Sequence, residues 1–505
     1  MIKRVPLEIV LLGILFIGAV FRIWQLTWGM PLTGLISDEH DASMFLLRLF
    51  SGVPVWNEFI SPYPAGVMVA TIPAFLAMSA WIAIQSRGFS PTVLENYLLL
   101  HGTSELILAA RITAAAASTA SIYAIYRIIR LFAEQRYAVV GAAIFATSLI
   151  QINVAHWGKP HAPMLAFFLA AAYFGLHARL TNNSRVWLIS VAFASAAFGT
   201  HVLGIIAFIW PVIALRKKRD IVPGVATAAA ISIPLYLINF KGTAAMILGA
   251  LRMHGETGAF AEAVPADSLV ERLTFLWTDW VALEPATALL FLAALCTLYA
   301  VRRDHHVRLM AIAAIATYIV WVLVAAMPDT VRWLALPTAV FTLLGVAVMH
   351  AIRAPIWIGI GCVVLNMIGS IAWLSNLTDP PALVARNWIE THIPRDERLA
   401  AVGIDIELPL SMEAAQWHLS YPELVGRPAG ARIQKLAQTE LLGTWNYYHY
   451  ATGTPSMDVV LSASSGDACE TLTARTDRHV ENPTSVFSLF TPETVHLYAC
   501  RRSGH

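Results

Sequence analysis

The chain has 505 residues, of which 57% are hydrophobic and only 13% are charged, and its mean hydropathy is +0.63. Soluble globular proteins carry about 25% charged residues, and a soluble fold of this length has too little interior for so much apolar surface. The composition therefore excludes a soluble globular protein. The net charge of +2 offers no basic stretch of the kind that binds nucleic acid, so no nucleic-acid partner is expected.

Apolar runs of roughly 17–25 residues recur along the chain, which is the length that crosses a bilayer core of about 30 Å. The first run, Pro6 to Trp28, follows Lys3 and Arg4. It is too long for the core of a signal peptide and lacks a clear small-residue cleavage site. We interpret it as a retained first helix with a cytoplasmic N-terminus, which places residues 31–58 outside.

Clusters of Lys and Arg orient the later runs, because such residues tend to stay cytoplasmic. Between two of these clusters, residues 187–215 must form a hairpin of two short helices with its tip near Gly199-Thr200-His201. Residues 62–84 are apolar but break the alternation, so they are re-entrant or interfacial, or they cross with Arg87 inside. Single crossing helices are predicted at 107–130, 138–152, 162–180, 221–239, 284–301, 309–326, 333–350 and 356–375, with outer loops at 153–161, 242–283 and 327–332.

The chain changes character at about residue 376, where the apolar runs shorten. The run ALVARNWIETHIPRDERLAAVGI predicts an amphipathic helix, a turn and a strand, and DVVLSA, TSVFSLF and TVHLYACR predict strands. We predict a mainly α fold with two domains. Residues 1–375 form a polytopic transmembrane helix bundle of about 11 crossings, and residues 376–505 form a small external α/β domain. An outer compartment permits a disulfide between Cys469 and Cys500, which the sequence leaves open.

Carboxylates crowd together after the first helix, at Asp38, Glu39 and Asp41, with His40 among them. Such crowding raises the pKa of a carboxyl group or attracts a cation. Ala42 to Phe50 then predicts a short amphipathic helix. The alternative interpretation of the carboxylates is a solvated polar loop beside the membrane.

Cationic and imidazole side chains occupy the other predicted outer positions. His156, Lys159 and His161 fall in one outer loop, and His201 falls at the hairpin tip. Arg332 follows Asp329 at an outer helix mouth, and arginine is suited to bidentate phosphate contact. The alternatives are a surface loop with a snorkelling lysine, a structural histidine, and an interfacial anchor beside Trp333. The two loop histidines with Asp38 match no recognised metal motif, so the metal requirement is unknown and a divalent cation is possible.

Taken in order, these motifs resemble the GT-C glycosyltransferases, and in particular the protein O-mannosyltransferase and aminoarabinose-transferase group. ISDEHDASMFLLRLFSG and SPYPAGVMVATIPAF resemble the first outer loop of that superfamily, and NVAHWGKPHAPM resembles part of its second. PDTVRWLALPTAVFTLLGV resembles the start of a later helix, and ARNWIETHIPRDERLAAVGI resembles the start of the external domain. The resemblance covers most of residues 1–400. Lys159-Pro-His161 departs from it, because relatives commonly carry an acidic residue there.

The resemblance implies a multi-pass protein of the bacterial inner (plasma) membrane with an active site on the outer face. It implies a polyprenyl-phosphate-linked sugar donor and an inverting transfer to a protein, glycan or lipid acceptor. Phosphate is a good leaving group, so inversion needs one base on the acceptor side and fixed cations on the phosphate side. Asp38 with its neighbour Glu39 is the predicted catalytic pair. Substrate-binding roles fall to Asp41, His156, Lys159, His161, His201 and Arg332.

Two rival functions remain open on the sequence. A lipid or sugar transporter or flippase would need charges buried in mid-helix and pseudo-symmetric halves, whereas the suspect charges gather on one face. A non-catalytic membrane subunit would explain the missing acidic residue of the second outer loop. It would not explain carboxylates placed opposite cationic outer loops.

Overall fold

The computed structural model describes residues 6–30, 32, 39, 41–50, 63–85, 104–244, 269–299, 301–324, 331–401, 406, 408, 410–420, 446–449, 459–462, 469–475 and 494–501. The first 376 residues are helical wherever they form regular structure. Their α-helices are α1 (Leu7–Ile23), α2 (Asp41–Phe50), α3 (Gly66–Gln85), α4 (Ser104–Arg130), α5 (Gln135–Ala146), α6 (Leu149–His156), α7 (His161–Thr181), α8 (Ser184–Thr200), α9 (Ile209–Ala214), α10 (Ile221–Ile238), α11 (Leu269–Leu283), α12 (Pro285–Thr297), α13 (His305–Val324), α14 (Ala335–Ala351) and α15 (Ile356–Asn376).

Several of these helices are long and apolar enough to cross a membrane. Over the ranges given above, six helical stretches meet that standard, or seven if the bent pair α5 and α6 forms one span. Shorter apolar helices at Ser184–Thr200, Val202–Ala214, Pro285–Thr297 and His305–Trp321 accompany them. The multi-pass character is therefore confirmed, whereas the total of about 11 crossings stays a prediction.

The helices differ in how much of their surface the protein itself covers. α14 is almost wholly buried at the centre of the bundle, whereas α10 is covered along very little of its length. Val222 and Val225 on α10 are 75% and 64% exposed. Apolar side chains in such numbers on one outer face are those that lipid would cover.

The hairpin predicted for residues 187–215 is confirmed. α8 ends at Thr200, the chain reverses at His201, and a 3₁₀ helix (Val202–Phe208) runs into α9. The return packs so closely that a Cβ at Gly204 would lie 2.1 Å from the Ala197 backbone, so only glycine fits.

Three of the segments discussed above contain helix that the sequence left open or did not predict. Residues 62–84, expected to be re-entrant or interfacial or else to cross, fall mostly within one continuous 20-residue helix, α3, which is long and apolar enough to cross. The outer loop expected at 153–161 is partly helical, since α6 extends to His156 and α7 begins at His161, so the connection shrinks to residues 157–160. Residues 269–283 of the expected outer loop form α11, because their apolar and aromatic side chains repeat with a helical period.

The described part of the tail contains the predicted amphipathic helix and three strands, β1, β3 and β5, at or near predicted positions. Helix α16 (Pro381–His392) precedes β1 (Arg398–Ala401), helix α17 (Met412–Leu419), β2 (Asn446–His449), β3 (Val459–Ser462), β4 (Cys469–Arg475) and β5 (Thr494–Arg501). The strand order is β2-β1-β3-β5-β4. β1 pairs in parallel with β2 and β3, whereas β5 pairs antiparallel with β3 and β4. β2 and β4 were not predicted, and TSVFSLF lies outside the described residues.

The two tail cysteines close a bridge across the antiparallel strand pair. Cys500 is disulfide-bonded and lies opposite Cys469 in the ladder, whereas Cys296 and Cys362 are free thiols. The sequence had left this bridge open. A disulfide agrees with the predicted external position of the tail, which itself stays a prediction.

Candidate functional site

A buried ion pair joins the first outer loop to the middle of the bundle. Arg111 on α4 donates from Nε to Oε1 of Glu39 at 2.7 Å and from Nη2 to Oε2 at 2.8 Å. The two side chains are 4% and 3% exposed. A two-pronged contact of this kind fixes the angle of the carboxylate as well as its position.

The same guanidinium holds the outer end of α1. Its Nη1 donates to the carbonyl oxygens of Leu26 and Trp28, both at 2.8 Å. The ring of His156, the last residue of α6, lies 2.8 Å from the Trp24 carbonyl oxygen through Nε2. Three separate parts of the chain are thereby gathered at one end of α1.

Gly158, in the connection between α6 and α7, also contacts Glu39. Its backbone N–H donates to Oε1 of Glu39 at 2.8 Å. A Cβ at this position would lie 2.7 Å from the Ala110 Cβ and 3.0 Å from the Glu39 Cγ. Only glycine therefore allows the loop to approach the carboxylate so closely, and with this contact both Glu39 oxygens are engaged.

Aromatic and imidazole rings form a second group beyond that loop. The rings of His161 and His201 are 4.8 Å apart, and each lies 5.7 Å from the ring of Trp333. Tyr63 packs on the other side of His201 at 5.7 Å. The first residue of α7, the hairpin tip, the 3₁₀ helix Val331–Leu334 and the start of α3 thus converge on one point.

His161 is unusual within this group. The residue is 2% exposed, and neither ring nitrogen has a hydrogen-bond partner among the described residues. The charges of Lys159 and Arg332 both act on it, and that of Arg332 also acts on His201. A buried ring with two unmatched nitrogens in a cationic field is a place where an anionic ligand would complete the hydrogen bonding.

The predicted site residues that the structure describes lie mostly in these two groups, around Glu39 and around His161. Glu39, His156, Lys159, His161 and His201 are all buried. Arg332 is half-buried, and Asp41 is buried at the start of α2. Asp38, His40 and Asp329 lie outside the described residues. Among those described, no group of three or more His, Cys, Asp or Glu side chains is placed to hold a metal ion.

Arg111 is a candidate site residue that the sequence analysis did not predict. It lies on α4, at the start of the run RITAAAAS, surrounded by alanine and other small side chains. A charge within a transmembrane helix is a functional candidate by default, and that signal was available. Its partner was not, since Glu39 lies 72 positions away in the sequence.

An apolar cavity of about 230 Å³ lies between α11, α12, α13 and α14. Trp280, Phe291 and Tyr318 are among its lining side chains. Separately, Trp321 on α13 donates from its indole N–H to the Trp333 carbonyl oxygen at 2.7 Å. This bond ties α13 to the 3₁₀ helix that carries Arg332 and Trp333.

Three solved structures show partial similarity to this chain. ArnT from Cupriavidus metallidurans bound to undecaprenyl phosphate is 13% identical, with a TM-score of 0.48 and coverage of 79% of this chain and 83% of that one. The Archaeoglobus fulgidus oligosaccharyltransferase in the apo form is 12% identical, with a TM-score of 0.47 and coverage of 91% and 70%. The S. cerevisiae Pmt1-Pmt2 complex bound to the sugar donor is 13% identical, with a TM-score of 0.32 and coverage of 50% and 34%.

The comparison by sequence is more restricted. No curated protein matches the chain. Residues 93–239 match the family model described as dolichyl-phosphate-mannose-protein mannosyltransferase. That segment contains Arg111, the second outer connection and the hairpin tip, and its match points to the GT-C glycosyltransferase superfamily, confirming the resemblance that the outer-loop motifs had indicated.

Proposed function

We propose that this chain is a membrane glycosyltransferase that moves a sugar from a polyprenyl-phosphate donor to an acceptor at the outer membrane face, with inversion. The observation that carries the proposal is His161, buried without a partner in the field of Lys159 and Arg332. The matched mannosyltransferase family model supports the same reaction class.

The cationic side chains suit the departing phosphate. As the bond to the sugar breaks, negative charge gathers on the phosphate oxygens. Lys159 and Arg332 would stabilise that charge, and His161 would donate a ring N–H to a phosphate oxygen. Because the site is buried, each of these contacts acts more strongly than it would in water.

The roles of the two adjacent carboxylates differ. Both oxygens of Glu39 already accept hydrogen bonds from Arg111 and Gly158, so this residue is suited to positioning. Asp38 precedes it in the chain, and we assign it the role of base on the acceptor hydroxyl or amine. Glu39 would then fix the backbone from which Asp38 acts.

The apolar cavity between α11, α12, α13 and α14 is a candidate place for the donor's hydrocarbon chain. The lining of Trp280, Phe291 and Tyr318 offers a large contact area for a polyprenyl chain.

The proposal is tested by outer-face sugar transfer. Purified protein in nanodiscs is incubated with radiolabelled polyprenyl-phosphate sugars and a membrane extract that supplies acceptors. The variants Asp38→Asn, Lys159→Ala and Arg332→Ala are measured beside the wild type, with Glu390→Gln on the exposed face of α16 as a control.

We expect transfer by the wild type and the control, and its loss in Asp38→Asn. The two cation variants should lose on the order of tenfold or more in kcat/KM, since each removes a charge-assisted contact to phosphate. Full activity of the Asp38→Asn variant would show that Asp38 is not the base. A folded wild type that neither transfers sugar nor binds any lipid-linked sugar would favour transport or a non-catalytic role.

A further inference from the structure

The transmembrane pair α5 and α6 is broken by 53° around Thr147 and Ser148. α5 has 12 residues and so extends about 18 Å, which is well short of a bilayer core of about 30 Å. The break therefore falls at membrane depth. There the exposed ends of two helices leave carbonyl and N–H groups that lipid cannot satisfy.

Arg22 on α1 satisfies the carbonyl side of the break. Its Nη1 donates to the Ala146 oxygen at 3.0 Å and its Nη2 to the Phe145 oxygen at 3.3 Å. The remaining donors reach the Gly18 oxygen at 2.9 Å and the Ser118 hydroxyl at 2.7 Å. The side chain is fully buried, and its positive charge lies at the negative end of the α5 dipole.

Glu284, which precedes α12, satisfies the N–H side. Its Oε1 accepts from the Ile150 backbone N–H at 3.0 Å and from the Ser148 hydroxyl. Ser148 in turn accepts from the Gln151 N–H at 3.2 Å, so the first turn of α6 is capped twice. This carboxylate is 1% exposed and lies at the positive end of the α6 dipole.

The break sets where α6 delivers the second outer connection. α6 ends at His156, and two residues later Gly158 donates to Glu39. Gln151 Nε2 donates to the Ala335 oxygen at 2.7 Å, which ties α6 to the helix start directly after Arg332 and Trp333. A change in the direction of α6 would thus displace Lys159 and His161 relative to Glu39.

We propose that Arg22 and Glu284 are a pair of positioning residues. Their hydrogen bonds hold the two ends of the broken span and thereby place the loop that carries Lys159 and His161. The catalytic part of this inference rests on the proposed transfer function, whereas the placement of the loop does not. Neither side chain is proposed to touch the donor.

Backbone hydrogen exchange tests the placement without any reaction. Full-length protein in nanodiscs is compared for the wild type, Glu284→Ala and Glu284→Gln, the last of which keeps a carbonyl acceptor. The matched control is Asp304→Ala, because Asp304 caps α13 by accepting from the His306 and Val307 N–H groups.

We expect Glu284→Ala to speed exchange at the start of α6 and also at Gly158, with Glu284→Gln intermediate. Asp304→Ala should change exchange only at the start of α13. Faster exchange confined to the first turn of α6, with Gly158 unchanged, would overturn the proposal. This outcome is informative whether or not the protein transfers sugar.

A double-mutant cycle tests the catalytic consequence. We expect Glu284→Ala to lower kcat/KM for the lipid-linked donor on the order of tenfold in the wild-type background. In the Lys159→Ala background the same change should cost less than about twofold, because its effect passes through that lysine. A purely structural role would cost the same factor in both backgrounds and would contradict the positioning role.

The two failures are distinguishable. If the wild type transfers sugar from no donor, the proposed function is wrong, and the hydrogen-exchange measurement alone tests whether these residues place the loop. If the wild type transfers and the cycle is additive, the function stands and the positioning role falls. The variant Arg22→Lys, which keeps the charge but loses the fork of donors, should follow Glu284→Ala in both measurements.

Discussion

Glu39 and Arg111 illustrate how a single buried ion pair organises a site. Charged side chains at membrane depth are costly, and they persist where they are paired and where their remaining donors are used. Here every nitrogen of the guanidinium donates, to Glu39, to Leu26 or to Trp28. The pair therefore works as a joint between α1, α4 and the two outer connections.

Removing the carboxylate should be more damaging than removing both charges. Glu39→Ala leaves Arg111 buried and unpaired, and we expect it to lower the free energy of unfolding by about 3–5 kcal/mol. The measurement is thermal unfolding in detergent. The control is Glu390→Ala, which breaks an exposed pair with Arg386 and should cost less than about 1 kcal/mol. Equal decreases in melting temperature for Glu39→Ala and Glu390→Ala would show that the Glu39–Arg111 pair does not hold these elements together.

Gly158 provides a second test at this scale. Gly158→Ala adds a methyl group against Ala110 and Glu39, so the loop must move away from the carboxylate. We expect a loss of transfer on the order of tenfold or more with a folded protein, since a shift of about 1 Å in a positioning element has that effect. Gly361→Ala, where nothing lies within 4 Å of the added Cβ, is the matched control and should retain activity. If the Gly158→Ala variant transferred sugar at the wild-type rate, the close approach of the loop to Glu39 would not be needed.

At this scale the sequence predicts candidate site residues but not how they pair. The carboxylate cluster and the cationic loop were predicted, and Glu39, Lys159 and His161 do lie in one region of the structure. The partner of Glu39 was missed because pairing across 72 positions leaves no local pattern. The contacts of Glu284 were not predicted for the same reason, since they are with residues 134 and 136 positions away in the sequence.

Among the elements, the helices could be predicted because each apolar run has its own length and charged ends. The break between α5 and α6 was not predicted, because Leu149, Ile150 and Ile152 resume the apolar run directly after the short polar pair Thr147-Ser148. A hydropathy profile depends on the side chains, so it does not show where backbone N–H and carbonyl groups lose their helical hydrogen bonds. The short strands β2 and β4 were missed since four to seven residues carry little periodicity.

The strand pair β4 and β5 carries a testable prediction about the tail. A variant with Cys469→Ser and Cys500→Ser should lose about 3–4 kcal/mol of unfolding free energy in the tail, because the bridge no longer restricts the unfolded chain. Limited proteolysis of the oxidised protein and of the variant measures this difference.

The control for that experiment is Cys296→Ser, a free and exposed thiol on α12, which should leave the cleavage rate unchanged. Mass spectrometry without reductant should also find one peptide pair joined through Cys469 and Cys500. Two unmodified thiols in a sample kept oxidised would contradict the bridge.

For the whole molecule, the orientation in the membrane is the open question. The basic residues 216–219 follow α9 and should be cytoplasmic, whereas the tail after α15 should be external. Alkaline phosphatase fused after residue 219 should be inactive, and the same enzyme fused after residue 376 should be active. Activity at the first position, or its absence at the second with a stable fusion, would reverse the orientation.

The contacts of Arg22 have a consequence for how the protein is made. Its acceptors lie 96, 123 and 124 residues later in the chain, so α1 leaves the ribosome well before Ser118, Phe145 and Ala146 exist. An arginine alone at the bilayer centre costs about 2.5–3.5 kcal/mol by insertion measurements. The nascent α1 should therefore wait near the lipid headgroups or against the insertion machinery. It settles to its final depth when α4 and α5 arrive, which makes insertion and tertiary folding of the first five helices a single step of biogenesis.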